Sequence, residues 1–404
     1  CYVTQFTEDV FSGLISLIFI IEALKSVLQT FEDRSNSAGF LTALLCFATY
    51  FVAISLKSLK STKLLSPVLR KVIGNFAVTI AILVVTGVAQ IWRDKVDVEW
   101  LAVPDELVPT FAVAGTGEAR PWLVNPLGGQ GLNKEGVVRD LPTWAIAAAF
   151  VPGLGMALLN YLDQNLTAKV INRPSSGLKK PGGYHLDMLV LGAVIYPVVT
   201  ILGLPFPCAA TVRSLTHLIS LTTYEDRPIP GGGVQKVAAK VVEQRFTHLA
   251  IHVLLGASLL IAPILKYVPK GTLFGVFLFM GMTSIAGNQL FDRMKLWAQF
   301  DSKTYPRLPY VTRIQTRRMH AFTFVQFVCL AILYALKAVK QTAMVFPFFI
   351  ALLVFVRFGL DRFFSEDEME VLDADEDLAP DPIEEDKGGA GKKQDVDGPG
   401  DLAI

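Results

Sequence analysis

The sequence predicts an all-α, polytopic membrane protein, and three observations carry that reading. Of its 404 residues, 52% are hydrophobic and only 18% are charged, with a mean hydropathy of +0.46; an ordinary water-soluble domain does not have this balance. Apolar runs of about 20 residues, the length needed to cross a bilayer as a helix, recur along the chain. Basic residues concentrate in alternate connecting loops, as they do when a chain is threaded back and forth through a membrane.

Nine spanning segments are expected, near residues 10–28, 40–56, 72–91, 141–162, 186–204, 246–265, 269–290, 322–337 and 343–360, with a shorter apolar piece at 207–219. Loops 57–71, 169–185, 222–245 and 292–320 together hold 20 Lys and Arg, whereas loop 92–140 holds five against eight acids. Alternating spans place the four basic loops on one side, so the start of the chain and its tail are expected in the cytoplasm. Loop 92–140 is expected outside, and Trp92, Trp100, Trp122 and Trp144 mark the opposite face as an aromatic belt. The Pro-Gly-Gly-Gly run at 230–233 reads as a flexible turn, and residues 292–300 as an amphipathic helix lying on the cytoplasmic surface. Residues 365–404 carry 15 acids against three lysines and are expected to be disordered. The basic remainder is membrane-embedded, so its charges orient the spans and do not indicate nucleic acid as a partner.

The most informative run is Leu186–Ser220. An ordinary apolar segment breaks at Pro205-Phe206-Pro207 and restarts as Cys208-Ala-Ala-Thr-Val-Arg-Ser-Leu-Thr-His-Leu-Ile-Ser220. The second piece is too short to span, so it is expected as a half-helix among other helices. Its amino end then presents free N–H groups and a positive dipole end, with Arg213 two turns inside. That is a place for an anion, of the kind discontinuous transporter helices provide. The anion-binding set expected here is Arg213 with Ala209, Ala210 and Thr211.

Asp163, in Leu158-Leu-Asn-Tyr-Leu-Asp-Gln-Asn-Leu-Thr167, is a carboxylate within a membrane segment, where ionisable groups face a cavity or a partner. Thr167 lies one turn on, on the same face. The two suit coordination of Na⁺ or relay of a proton; the plainer reading is a pair between Asp163 and Lys169. Glu22 and Lys25 read as a local ion pair. Lys337 and Lys340 read as snorkelling residues, with Lys337 also a candidate for steering anions. His248 and His252 have metal spacing but no third ligand, so no metal site is expected. Asn165-Leu-Thr167 matches a glycosylation sequon but lies inside a span. Cys46, Cys208 and Cys329 sit in apolar stretches and indicate neither a disulfide framework nor zinc. No hydrolase motif and no phosphate loop occur, so neither an enzyme nor a cofactor is expected. Residue 1 is Cys, and no leader precedes the first apolar run, so the sequence reads as a piece of a longer protein.

The runs KKPGGYHLD (179–187), GLPFPCAATVRSLTH (203–217), EQR (243–245), MGMTSIAGNQLFDR (280–293), RMHAFTFVQFVCLAIL (318–333) and LDADED (372–377) resemble the bicarbonate transporter family, solute carrier family 4. The resemblance runs from the opening segment, similar to the family's fifth, to the acidic tail. It implies an inverted-repeat fold of seven plus seven segments with core and gate domains, of which segments one to four are missing here. It assigns 1–91 and 269–361 to the gate, 92–140 to an extracellular loop and 141–266, with half-helix 207–219, to half of the core. Residues 365–404 are the cytoplasmic tail. It further implies a multi-pass protein, most naturally of the plasma membrane, that carries bicarbonate or carbonate and dimerises through the gate. Asp163 with Thr167 resembles the sodium-coupled branch, whereas Arg213 resembles the chloride/bicarbonate exchangers. Na⁺ coupling and Cl⁻ exchange therefore both stay open. Borate transport is a more distant option, and a non-transporting membrane scaffold is the rival from another class. LDADED resembles an acidic motif proposed in exchangers to dock carbonic anhydrase; a solvated tail is the plain alternative.

Overall fold

The computed structural model describes residues 4–374, apart from 104–121, 125–130, 133–137, 140–141, 181, 230–232, 300–304, 307, 340 and 343–345. Most of loop 92–140 and of the acidic tail therefore lies outside the described residues.

Helix α1 (Gln5–Asp33) is followed by α2 (Asn36–Ser58), whose first turn is capped where Ser35 Oγ accepts the Ala38 N–H. The segment expected at 72–91 is a bent pair, α3 (Pro67–Asn75) and α4 (Ala77–Ala89), with 68° between their axes. Ser66 caps α3 and Pro67 opens it, where its missing N–H is no loss. Then come α5 (Phe150–Ile171), α6 (Tyr184–Ile201), α7 (Thr211–Leu221) and α8 (Phe246–Leu265). The segment expected at 269–290 is also a bent pair, α9 (Lys270–Ile285) and α10 (Gln289–Lys295), which turn by 79°. Gly287 takes a positive φ of 95° at the bend, and the Asn288 side chain accepts the Leu290 and Phe291 N–H groups. The chain ends in α11 (Thr316–Ala338), α12 (Phe346–Leu360) and α13 (Glu366–Leu372). Among the described residues, six helices are long and apolar enough to cross a bilayer, and eight if each bent pair is one span. Large apolar side chains face outward, Leu260 at 83% and Phe246 at 76% exposure. A water-soluble core would not spend them so, but a lipid-facing surface does.

Helices α1, α2, α4 and α9 pack side by side, and α10, α11 and α12 close on the other flank of α1. Gly271 and Gly275, one turn apart on α9, let its backbone lie on α2. A Cβ at Gly275 would come within 2.4 Å of the Cys46 carbonyl oxygen. Small residues at this spacing allow close helix approach in lipid, where dispersion contacts and not water expulsion drive association. The main apolar cluster gathers Phe6, Leu14, Leu290, Met319, Phe322 and Leu353. Phe6 and Phe364 each meet the Phe322 ring edge-on, at 5.6 and 5.7 Å. Helix α5 joins this body through Leu166 and through Glu8, which pairs with both Lys169 (2.9 Å) and Arg173 (3.0 Å).

A buried ion cluster holds the same region. Arg293 on α10 is wholly buried. Its guanidinium donates to Asp9 (3.2 Å), Gln326 (2.9 Å), Gln289 (3.1 Å) and the Leu372 carbonyl (3.3 Å), and it lies over the Phe322 ring. One residue thereby ties α1, α10, α11 and α13. Asp373, just after α13, accepts the Phe6 N–H and pairs with Arg357.

The structure refines four expectations. Residues 292–299 bury one side only, Arg293 and Leu296, and leave Lys295 and Trp297 exposed; α10 turns its Arg293 inward, where the guanidinium finds a carboxylate and amide partners. The tail is ordered at its start: Ser365 and Glu368 form a reciprocal capping box, and Met369 and Leu372 are buried. Loop 222–245 contains an antiparallel hairpin, Thr222–Ile229 against Gly233–Val241; its β-branched residues flank the Gly-rich turn. The half-helix begins at Thr211 rather than 207 and ends at Leu221.

Replacing Asp9 by Ala is expected to lower stability by about 3–5 kcal/mol, because it leaves the Arg293 charge buried without its carboxylate; thermal unfolding in detergent measures it. Hydrogen bonding from Arg318 holds the Glu368 carboxyl below its usual value of 4.5. The stabilisation it gives α13 is therefore complete above about pH 4.5 and is lost as pH falls through the depressed folded value. Amide exchange in α13 should accelerate in acid, and Glu368→Gln should show the faster exchange already at pH 7.

Candidate functional site

The break between α6 and α7 positions the site. Gly203 takes a left-handed φ of 61° after α6. Its N–H reaches the Thr200 carbonyl at 3.1 Å and the Leu204 N–H the Val199 carbonyl at 2.8 Å, a Schellman ending that satisfies the last carbonyls of α6. Pro205 and Pro207 lack N–H groups and bias the residues before them away from helix, so the chain forms no helix from Leu204 to Ala210, and Ala210 is extended. Helix α7 starts with the Ser214 N–H on the Ala210 carbonyl, 2.9 Å. The N–H groups of Thr211, Val212 and Arg213 precede any intrahelical bond and form the positive end of the helix.

That end rests on α5. Thr211 Oγ1 and Thr167 Oγ1 are 2.7 Å apart. One turn before Thr167, the Asp163 Oδ2 accepts from Cys208 Sγ at 3.6 Å. Thr167 is 4% exposed, and Asp163, Ala209, Ala210 and Thr211 are half-buried. A carboxylate, two hydroxyls and a helix amino end thus meet at one crossing. The oxygen atoms suit a hard cation, and the first-turn N–H groups with the Thr211 hydroxyl suit an anion.

The remaining candidates fall elsewhere. Arg213 is the third residue of α7, in its first turn and not two turns inside, because the helix starts four residues later than expected. Its side chain is exposed and makes no hydrogen bond or ion pair among the described residues. Asp163 does not pair with Lys169, which is held by Glu8. Lys337 pairs with Glu22 on α1 at 2.7 Å, so Glu22 bonds across helices and Lys337 stands apart from the crossing. His252 Nδ1 meets the carbonyl of His248 on its own helix, and the His248 ring packs on His217 at 4.9 Å. His217 Nε2 in turn meets Thr247 Oγ1 at 2.9 Å, tying α7 to α8. Cys208 is the site residue that sequence reasoning passed over; its place directly after Pro207, at the turn into the half-helix, was the available signal.

Comparison with known proteins bears on this geometry. The family described as the HCO3− transporter integral membrane domain matches residues 32–377. The Band 3 anion transport protein of Homo sapiens is 34% identical over 395 residues, covering 93% of this chain and 41% of that protein. The electroneutral sodium bicarbonate exchanger 1 of Mus musculus is 33% identical over 450 residues, covering 94% of this chain and 39% of that protein. The anion exchange protein 3 of Danio rerio is 31% identical over 410 residues, covering 93% and 33%. The chain thus spans about two fifths or less of the length of these relatives. With a family match over most of its length and a helical, multi-pass architecture, the chain belongs to the bicarbonate transporter family, solute carrier family 4.

Proposed function

We propose that the protein to which this chain belongs is a secondary-active transporter of inorganic anions, carrying bicarbonate or carbonate, with a cation coupled at Asp163 and Thr167. The supporting observation is the 2.7 Å contact between Thr167 and Thr211, which joins the cation-type ligands of α5 to the anion-type end of α7. The N–H groups of Thr211, Val212 and Arg213 and the Thr211 hydroxyl hold the anion, Ala209 and Ala210 line its approach, and Arg213 adds positive potential. A cation and an anion side by side each lower the other's desolvation cost, which suits co-binding. The names of the relatives support the substrate class: two are called anion transport or exchange proteins and one a sodium bicarbonate exchanger.

Electroneutral chloride/bicarbonate exchange is the second reading, favoured by Arg213 in the first turn of α7. On either reading the protein sits in the plasma membrane with its tail in the cytoplasm and dimerises through helices of the gate. A carbonic anhydrase docked at LDADED would have to use the later residues of that motif, because Leu372 is wholly buried and the Asp373 side chain is 4% exposed; a solvated tail is the alternative.

The complete protein in proteoliposomes, with bicarbonate uptake followed by an internal pH dye, tests the proposal. Thr211→Val removes a hydroxyl donor to a charged ligand, a loss of about 1.5–3 kcal/mol, so apparent bicarbonate affinity should fall at least about tenfold. Asp163→Asn should abolish dependence on Na⁺ while the protein still folds. Uptake that is equal with and without external Na⁺ in the unmodified protein would replace cation coupling by exchange. Absence of flux in every variant and in the unmodified protein would leave a scaffold.

A further inference from the structure

Where α11 begins and α12 ends, the two helices enclose an outward-facing cavity of about 640 Å³. Ala321, Val325, Val356, Gly359 and Phe363 form its apolar wall, and Arg317 and Arg318 close one end. Phe363 is 73% exposed there. A Cβ at Gly359 would meet nothing within 4 Å, so the floor of the groove is open space and not a packed helix contact.

The two arginines differ. Arg318 is committed: it donates to Glu368 (2.7 Å) and to the Phe363 carbonyl (2.5 Å), and it stacks on Phe364 at 5.0 Å. Arg317 is exposed, and among the described residues its guanidinium meets no carboxylate. The span Thr316–Ala338 starts at this point and the apolar helix Phe346–Leu360 stops at it. The charged end of the groove is therefore at headgroup depth, and its apolar wall runs into the hydrocarbon layer.

We propose that this groove holds one anionic glycerophospholipid, with acyl chain against Val325, Val356 and Gly359 and its phosphate on Arg317. An apolar trough needs a hydrocarbon occupant, and an uncommitted guanidinium at headgroup depth selects a negative head over a zwitterionic one. A free anion would use the arginine but leave the trough unfilled. The occupant also lies against Arg318, so it borders the contact that seats α13.

Native mass spectrometry of the complete protein in detergent, supplied with equal phosphatidylserine and phosphatidylcholine, tests this. The unmodified protein should retain phosphatidylserine in preference. Arg317→Ala should lower that retention about fivefold, the effect of one basic residue near the headgroups. Gly359→Leu fills the floor, favours helix and should remove the bound lipid altogether. Arg362→Ala, an exposed arginine outside the groove, should leave retention unchanged. The proposal is overturned by equal retention of the two lipids, by an Arg362→Ala loss matching that of Arg317→Ala, or by binding that survives Gly359→Leu. It is equally overturned if inorganic phosphate alone displaces the phosphatidylserine signal.

Discussion

Backbone N–H and C=O groups at membrane depth find no partner in lipid, so each must be met inside the protein or face a cavity where water or a ligand meets it. That requirement organises the region from Gly203 to Thr211. Gly203 closes the carbonyl end of α6, the two prolines remove donors that would otherwise need partners, and the donors that remain open are gathered at the start of α7. The Thr211 hydroxyl settles on Thr167, and the helix end is fixed beside Asp163 and Cys208 rather than free to turn toward lipid. A straight helix through 186–220 would have satisfied its own backbone and left no open donors inside the protein.

The second organising feature is electrostatic and lies away from that crossing. Glu8 and Asp9 open α1 inside the protein, and cations from three other elements converge on them: Lys169 and Arg173 from α5 and its following turn, and Arg293 from α10. These pairs connect α5, which carries half of the candidate site, to the helices that pack around α1. Burying charge in this way costs desolvation, which amide and carbonyl partners around Arg293 offset. Leu372 and Asp373 complete the cluster, so the first two residues of the acidic motif act as structure.

Much of this was legible in the residues, and the exceptions have physical causes. Long apolar runs and the Pro-Phe-Pro break announce spans and a half-helix because they depend on local chain chemistry. The bends at Phe76 and at Gly287-Asn288 carry a local signal, Gly74-Asn75 and Gly287-Asn288, which a reading by apolar run length alone passes over. In the sequence Arg293 is one cation of loop 292–320, because nothing local to it reveals Asp9, 284 positions away. Glu368 reads as one more acid of the tail, although Ser365 three residues before it is the signature of a capping box. Asp163 and Thr167 were legible as a helical face, whereas Cys208 is brought to Asp163 only by the path of the chain through the prolines.

A pair of hydroxyls has a polarity, and the Thr167–Thr211 contact has one shared hydrogen to orient. If Thr167 gives its hydrogen to Thr211, the lone pairs of Thr167 face α5 and the Thr211 hydrogen is released toward the amino end of α7. If the direction reverses, Thr211 spends its hydrogen on Thr167 and has none left to donate at the amino end of α7, while the Thr167 hydrogen is freed. The first arrangement leaves acceptor lone pairs on Thr167 and a donor on Thr211; the second exchanges the two roles. The choice between the two directions needs only the hydroxyl hydrogens to rotate, with no displacement of either helix.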